Sequence, residues 1–331
     1  METETDLLAA AKTGDPRAYE RLVLPYRREL LAHCYRLLGS LQDAEDALQE
    51  SFLAAWRGLS GFEGRASVRT WLYRICTNAA LRAISRRPRR VLSPEYGPAR
   101  TDVHDLGQLV TARVFVEPWP DELPLADPTA DPAASYTRRE SIELAFVAAL
   151  QHLPGTQRAV LIMREVLGFS ANETADLLDT TVVSVNSALQ RARKTVDERI
   201  PPTSQQAELD ALGPDGERHL VEAFVGAWER GDVPALVSLL AEDARFTMPP
   251  LPAWFDGRDN VARFLGERVF ATEWRLVPTR ANGQLAFACY QGPAFGLGAV
   301  NLLTLRDGRI VGITGFLDPK VHQWFGFPQT R

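Results

Sequence analysis

The chain of 331 residues contains only three cysteines, Cys34, Cys76 and Cys289, far apart and without a C-x-x-C pair. So few and so scattered, they exclude a disulfide framework and a structural zinc site of the usual spacing. The five histidines, His33, His104, His152, His219 and His322, are equally dispersed and form no H-E-x-x-H pattern, so no metal centre or cofactor is expected. No apolar run approaches membrane-spanning length, and the start, Met1-Glu-Thr-Glu-Thr-Asp, is acidic where a signal peptide is basic and then apolar. The expectation is a cytoplasmic protein without a membrane partner. A further absence is local: from Gly64 to Pro94 there is no Asp or Glu, yet there are eight arginines, Arg65, Arg69, Arg74, Arg82, Arg86, Arg87, Arg89 and Arg90. A segment this one-signed, interleaved with Trp71 and Tyr73, has the make-up of a single-stranded nucleic-acid surface, with arginines for phosphates and aromatic rings for unstacked bases.

What precedes that segment is its opposite in charge. Over Leu41 to Trp56, Leu41, Ala44, Leu48, Phe52 and Ala55 fall on one helical face, while Asp43, Asp46 and Glu50 cluster across from them. One side packs and the other is an acidic surface. After a turn rich in glycine, Ser67 is placed to cap a second helix whose packing stripe is Val68, Trp71, Leu72, Ile75 and Ala79. Residues 6–38 also read as helical, with Asp15-Pro16 opening a new helix. Together these predict a compact helical domain over residues 1–90. The formal net charge of −5 argues against a protein that coats nucleic acid over its whole surface, so the local patches carry the reading.

From Val91 to Ser135 the chain has seven prolines, eight acidic residues and only two arginines, Arg100 and Arg113, which predicts a linker. Helical periodicity resumes at Tyr136. Thr156 is placed to cap a helix Gln157–Leu167, and Ala171–Leu178 and Val182–Ile200 flank the short turn Asp179-Thr-Thr as a helix-turn-helix would. The second helical domain therefore spans 136–200. Pro201-Pro202 and a polar stretch make a second linker, 201–216. Beyond it, helices at Leu220–Trp228, Val233–Leu240 and Val261–Phe270 and a meander of strands, with Asp307-Gly308 as a tight turn, argue for an α+β domain over 217–331.

The runs Asp43-Ala-Glu-Asp-Ala-Leu-Gln-Glu-Ser-Phe and Phe62-Glu-Gly-Arg-Ala-Ser-Val-Arg-Thr-Trp-Leu-Tyr-Arg-Ile-Cys-Thr-Asn78 resemble region 2 of the sigma-70 family in its extracytoplasmic-function branch. The helix-turn-helix stands where that family places region 4. The resemblance implies core RNA polymerase and promoter DNA as partners, with Asp43, Asp46, Gln49 and Glu50 facing polymerase. It implies Phe62, Ser67, Trp71, Tyr73, Arg74 and Asn78 around the melted −10 element, with core and contact equally open for Trp71. Ser184, Asn186, Ser187, Gln190, Arg191 and Arg193 become the −35 candidates, Asn and Gln being able to read adenine edges. Val183, Asn186 and Ala188 depart from a family pattern that has Gly and arginines there, so the −35 preference does not transfer. The family's linker threads through polymerase; a solvated spacer accounts for the negative charge of this one equally well.

The pattern Ala227-Trp-Glu-Arg-Gly-Asp, Leu239-Leu-Ala-Glu-Asp-Ala-Arg-Phe-Thr-Met-Pro-Pro and Phe255-Asp-Gly-Arg resembles the SnoaL-like branch of the nuclear transport factor 2-like superfamily, whose curved sheet wraps helices into a cone. Phe246, Met248, Trp254, Phe255, Asp256 and Trp274 are the pocket candidates, though an apolar core would use the same rings. The expected fold is two all-α domains followed by an α+β cone, and the expected function a non-enzymatic sigma factor modulated by its last domain. An anti-sigma factor or a small ligand of the cone is left open as a further partner. The alternative is a fusion to an active or metabolite-sensing cone, for which Asp256 and His322 are the acid–base candidates. A DNA-binding repressor independent of polymerase would leave the acidic helix unexplained.

Overall fold

The structure, a computed structural model, describes residues 2–112, 114–123 and 142–331. Two compact units divide the described chain: residues 2–89 with 145–200, and residues 90–123 with 142–144 and 201–331.

The N-terminal unit is all helix. Its elements are α1 (Glu4–Lys12), α2 (Pro16–Val23), α3 (Arg27–Leu38), α4 (Leu41–Gly58) and α5 (Val68–Ile84). The starts are set locally. Thr3 and Asp6 make a reciprocal capping box, Asp15 caps α2 with Pro16 in the first turn, and Ser40 and Ser67 accept from the backbone of Asp43 and Thr70. Gly39, at φ 68°, ends α3 in the left-handed region and turns the chain into α4. Leu30, Leu31, Leu37, Leu41, Leu48 and Leu72 form the interior.

The same unit holds the second helical domain. After α6 (Ser93–Tyr96), which lies in the other unit, come α7 (Leu144–Gln151), α8 (Gly155–Leu161), a π turn over Ile162–Val166, α9 (Ala171–Leu177) and α10 (Val182–Asp197). The predicted start at Tyr136 lies outside the described residues. Thr156 does not cap α8; the helix begins one residue earlier with Pro154 at the cap position. Ser170 and Glu173 form the capping box of α9, and Asp179, at φ 50°, makes the turn into α10. The two helical domains are pinned by Arg158, buried in α8. Its guanidinium donates to Leu37 O at the end of α3, to Gln151 Oε1 at 2.6 Å, and to Gln151 O and Leu153 O at 3.1 Å each. Gln151 in turn donates to Arg36 O at 3.3 Å.

The C-terminal unit is an open six-stranded sheet against helices. Its elements are α11 (Gln205–Glu229), α12 (Val233–Leu239), β1 (Leu240–Thr247), β2 (Trp254–Asp256), α13 (Arg258–Glu267), β3 (Trp274–Ala281), β4 (Gln284–Gln291), β5 (Gly296–Arg306), β6 (Arg309–Phe316) and α14 (Pro319–His322). The order is β2-β1-β6-β5-β4-β3, with β1 parallel to β6 and the other pairs antiparallel. Irregularities between Leu240 and Arg245, Cys289 and Tyr290, and Thr304 and Leu305 bend it. Phe224 and Trp228, one turn apart on α11, fill the concave side: Phe224 lies 4.8 Å from Phe287, and Trp228 meets Trp274 edge-on at 6.1 Å between ring centres.

Both predicted linkers are structured where they are described. Residues 205–216 are helical, continuing into α11 through a kink at Gly213, whose φ of 67° interrupts the helix before Pro214. Residues 90–112 and 114–123 pack into the C-terminal unit. Val103 joins its apolar core, Phe115, Val116 and Trp119 are buried, Arg100 N donates to Trp254 O at 2.8 Å and Val110 N to Pro250 O at 3.0 Å. Prolines and carboxylates mask a sparse apolar set that a composition reading averages away. The anchor is the β3–β4 turn, Asn282-Gly283 with φ of 54° and 70°, the two positive values a two-residue hairpin turn of this hand demands. Asn282, wholly buried, accepts from Trp119 N at 2.8 Å and its Nδ2 donates 2.5 Å to Ile142 O; its own N–H donates to Trp119 O at 2.8 Å.

In the N-terminal unit His33 is wholly buried, 2.8 Å from Thr77 Oγ1, and burial, with the Arg36 and Arg69 charges, pulls its pKa from 6.5 to about 3. A base held below its unfolded value contributes its full stability above 6.5 and loses it as pH falls towards 3, because the unfolded chain takes up a proton that the folded one refuses. His33→Gln should therefore flatten the acid side of the stability profile, removing a slope of up to about 1.4 kcal/mol per pH unit. Urea midpoints of both proteins across that window measure it.

Candidate nucleic-acid interface

On α4 the acidic face is real but smaller than its carboxylates promise. Asp46, Gln49 and Glu50 are exposed. Asp43 is not: it is 2% exposed, in the first turn, paired with Arg87. A carboxylate there also meets the positive end of the helix, so its place is structural. Leu53, 57% exposed and one turn beyond Gln49, adds an apolar patch that an amphipathic reading overlooks.

On α5, Trp71, Arg74, Asn78 and Arg82 share a face at helical spacing, and each is at least partly exposed. Phe62 packs on Trp71, 4.8 Å between ring centres, and Lys12 Nζ donates 2.6 Å to Phe62 O. Ser67 stays exposed at the cap. Tyr73, expected beside the strand, is wholly buried. Two residues along a helix is a rotation of about 200°, which puts Tyr73 opposite Trp71. Its hydroxyl donates to Glu29 at 3.2 Å, Arg69 lies over its ring at 4.9 Å, and Phe169 of the second helical domain meets it edge-on at 5.5 Å. Burial, with Glu29 nearby, pushes the phenol pKa far up, so it stays a neutral donor.

The basic segment is also less bare in three dimensions than along the chain. Glu63 pairs with Arg65, Glu29 with Arg69 at 2.8 Å and Glu50 with Arg82 at 2.7 Å, while Arg74 reaches both carboxylate oxygens of Asp179, at 2.7 and 2.9 Å. Those partners come from before or far beyond the helix, and all but Glu63 lie outside a sequence window around it.

On α10 the exposed residues are Val183, Ser184, Asn186, Gln190, Arg191, Arg193, Lys194 and Asp197, with Ser187 half-buried; Val185, Ala188, Leu189, Ala192 and Val196 face inward. Ser184 takes a 3.0 Å hydrogen bond from the capping Thr181 hydroxyl. Arg193 is turned back on its own domain, where Glu165 pairs with it and holds its pKa up.

The cone candidates are core. Phe246, Met248, Phe255 and Trp274 belong to one buried cluster, with Phe255 stacked 4.4 Å from Phe264. Trp254 lies outside it, donating 2.8 Å to Gly97 O under Arg245. Asp256, predicted in a turn, ends the short strand β2 and is exposed, bound to Arg245 at 3.0 Å. His322 is buried with Nε2 2.7 Å from Phe316 O. Neither offers a free acid or base within the apolar core.

Three family models match the chain: sigma-70 region 2 over residues 22–90, sigma-70 region 4 over residues 143–196, and a SnoaL-like domain over residues 221–313. The ECF RNA polymerase sigma factor SigG of Mycobacterium tuberculosis is 40% identical over 97% of this chain and 86% of its own length. The chain belongs to the ECF sigma factor family. The RNA polymerase sigma-H factor of Pseudomonas aeruginosa is 32% identical over 62% of this sigma factor and 98% of its own chain. The crystal structure of the Mycobacterium tuberculosis extracytoplasmic function sigma factor SigJ shares the fold, with a TM-score of 0.57 and 22% identity over 90% of this chain and 96% of that one.

As a member of that family, the sigma factor binds core RNA polymerase and promoter DNA and acts in transcription initiation rather than catalysis. No helix among its described residues is long and apolar enough to cross a membrane. Because Tyr73 is core, Tyr73→Ala should lower the stability of the N-terminal unit by about 3–5 kcal/mol, whereas Asn78→Ala should stay within about 0.5 kcal/mol of the parent. Chemical denaturation of both variants distinguishes the structural residue from the surface one.

Proposed function

We propose that this cytoplasmic sigma factor uses two adjoining faces of region 2, which meet at the Glu50–Arg82 ion pair. Asp46, Gln49 and Glu50, with Leu53, meet polymerase; Trp71, Arg74 and Asn78, with Phe62 and Ser67 beside them, hold the melted −10 strand. The observation that supports this is the exposed acids on α4 beside a Trp-Arg-Asn face on α5, in which Arg74 is exposed and Trp71 and Asn78 are half-buried, that offers a ring, a cation and an amide to unpaired bases. The exposed side of α10, with Asn186, Ser187, Gln190 and Arg191, is the reader of −35 duplex in the manner of a recognition helix. Arg193 supports that helix through Glu165.

Reversing charge in Asp46→Lys with Glu50→Lys should cut core polymerase binding at least tenfold while leaving the helical circular dichroism unchanged. Undiminished pull-down by the folded double variant would remove α4 from the interface. Asn78→Ala should lower promoter opening more than polymerase binding, a stacked or bonded base being worth about 1–3 kcal/mol; permanganate reactivity at saturating holoenzyme reads that out.

The C-terminal domain is the modulator in this reading, acting through the linker that it holds. Support comes from Asn282, which bonds the chain at Trp119 and at Ile142, on both sides of the stretch leading into region 4. Asn282→Ala should loosen the linker and change run-off yield by several-fold at limiting core enzyme. Protease sensitivity of residues 90–123 unchanged, with yield unchanged, would leave the domain a passenger.

A further inference from the structure

We propose that Val183 is a specificity residue of the −35 reader, packing its methyl groups against the 5-methyl of a thymine in the major groove. The inference rests on the reading of α10 as the duplex-facing helix. Val183 is 76% exposed, the highest value among the exposed large hydrophobic side chains of the described residues. At about 100° per residue it aligns with Ser187, Gln190 and Lys194. That stripe lies opposite the inward-facing Val185, Ala188, Leu189, Ala192 and Val196, so Val183 points straight away from the domain.

It also stands in the first turn, where a recognition helix touches base edges. The neighbouring Ser184 hydroxyl accepts from the capping Thr181, which fixes its position beside Val183 and leaves its own O–H to donate. A β-branched side chain has a nearly fixed χ1 in a helix, so its methyls are presented without loss of rotamer freedom. Arg191 and Lys194, exposed on the same side two to three turns further along, supply charge for phosphates at the other end of the helix. Of the four DNA bases, thymine is the one whose major-groove edge ends in a methyl group, which fits an apolar side chain in the first turn of a helix that carries its cations further along.

The test uses full-length protein with core polymerase. Promoters are first selected from a library randomised over the −35 region, and each thymine of the preferred duplex is then replaced by uracil, which removes only the methyl. At one position uracil should weaken binding about fourfold, the effect of one buried methyl. Val183→Ala should lose that discrimination and bind both duplexes alike. Uracil tolerated at every position, or a Val183→Ala protein that keeps the thymine preference, overturns the proposal. Gln190→Ala and Arg191→Ala serve as the parallel measurement. If they weaken duplex binding while uracil is silent, only the role of Val183 fails; if they too are without effect, α10 is not the reader and both readings fall.

Discussion

Arg158 is the constraint around which the N-terminal unit is assembled. A cation buried without a carboxylate is costly unless its donors are met, and here both terminal nitrogens are met by carbonyls at the ends of α3 and α7, where helix dipoles are negative, while Nε is left without a hydrogen-bond partner. Burial pulls its pKa down to about 10, which still leaves it charged near neutrality. Carbonyls at helix ends have no partners within their own helix, so one side chain satisfies what two helices leave open. The pairing sets where region 4 can rest on region 2, and with it the meeting of Tyr73 with Phe169 and of Arg74 with Asp179.

Much of this was legible in the sequence because it is encoded locally. The caps at Asp15 and Ser67, the helix-turn-helix and the Asp307-Gly308 turn are short patterns with a direct backbone cause. Sequence reading went astray where burial depends on partners far along the chain. Asp43 looks like its neighbour Asp46 until Arg87 covers it, and Tyr73, off the predicted packing stripe that held Trp71, is the ring that is buried, against Glu29 and Phe169, while Trp71 stays partly exposed. The linker misled for a different reason. Its prolines suppress regular structure, but isolated apolar residues such as Val103 and Trp119 need no secondary structure to be buried against a preformed sheet. The strand β2 and the parallel pairing of β1 with β6 also escaped, one being three residues long and the other a contact between distant segments.

The C-terminal domain illustrates how a fold and a chemistry part company. The cone keeps the bent sheet and the long helix, yet its concave side is packed by Phe224, Trp228, Phe246 and Phe287, and its acid and imidazole are bound to Arg245 and to a main-chain carbonyl. What distinguishes it is the turn at Asn282, where a residue suited to positive φ also has an amide able to accept from Trp119 N in the linker and donate to Ile142 O just before α7.

The carboxylates paired with the basic helix bear on how the protein responds to salt. Binding of DNA by free arginines releases condensed cations, and affinity falls steeply with ionic strength in proportion to the number of phosphates neutralised. An arginine that already holds an acid, as Arg74 holds Asp179, exchanges one anion for another. The carboxylate set free then takes up a cation of its own, offsetting the one released. Counting arginines along the helix therefore overstates the polyelectrolyte character of region 2, and its grip on a melted strand rests correspondingly more on rings and amides than on charge.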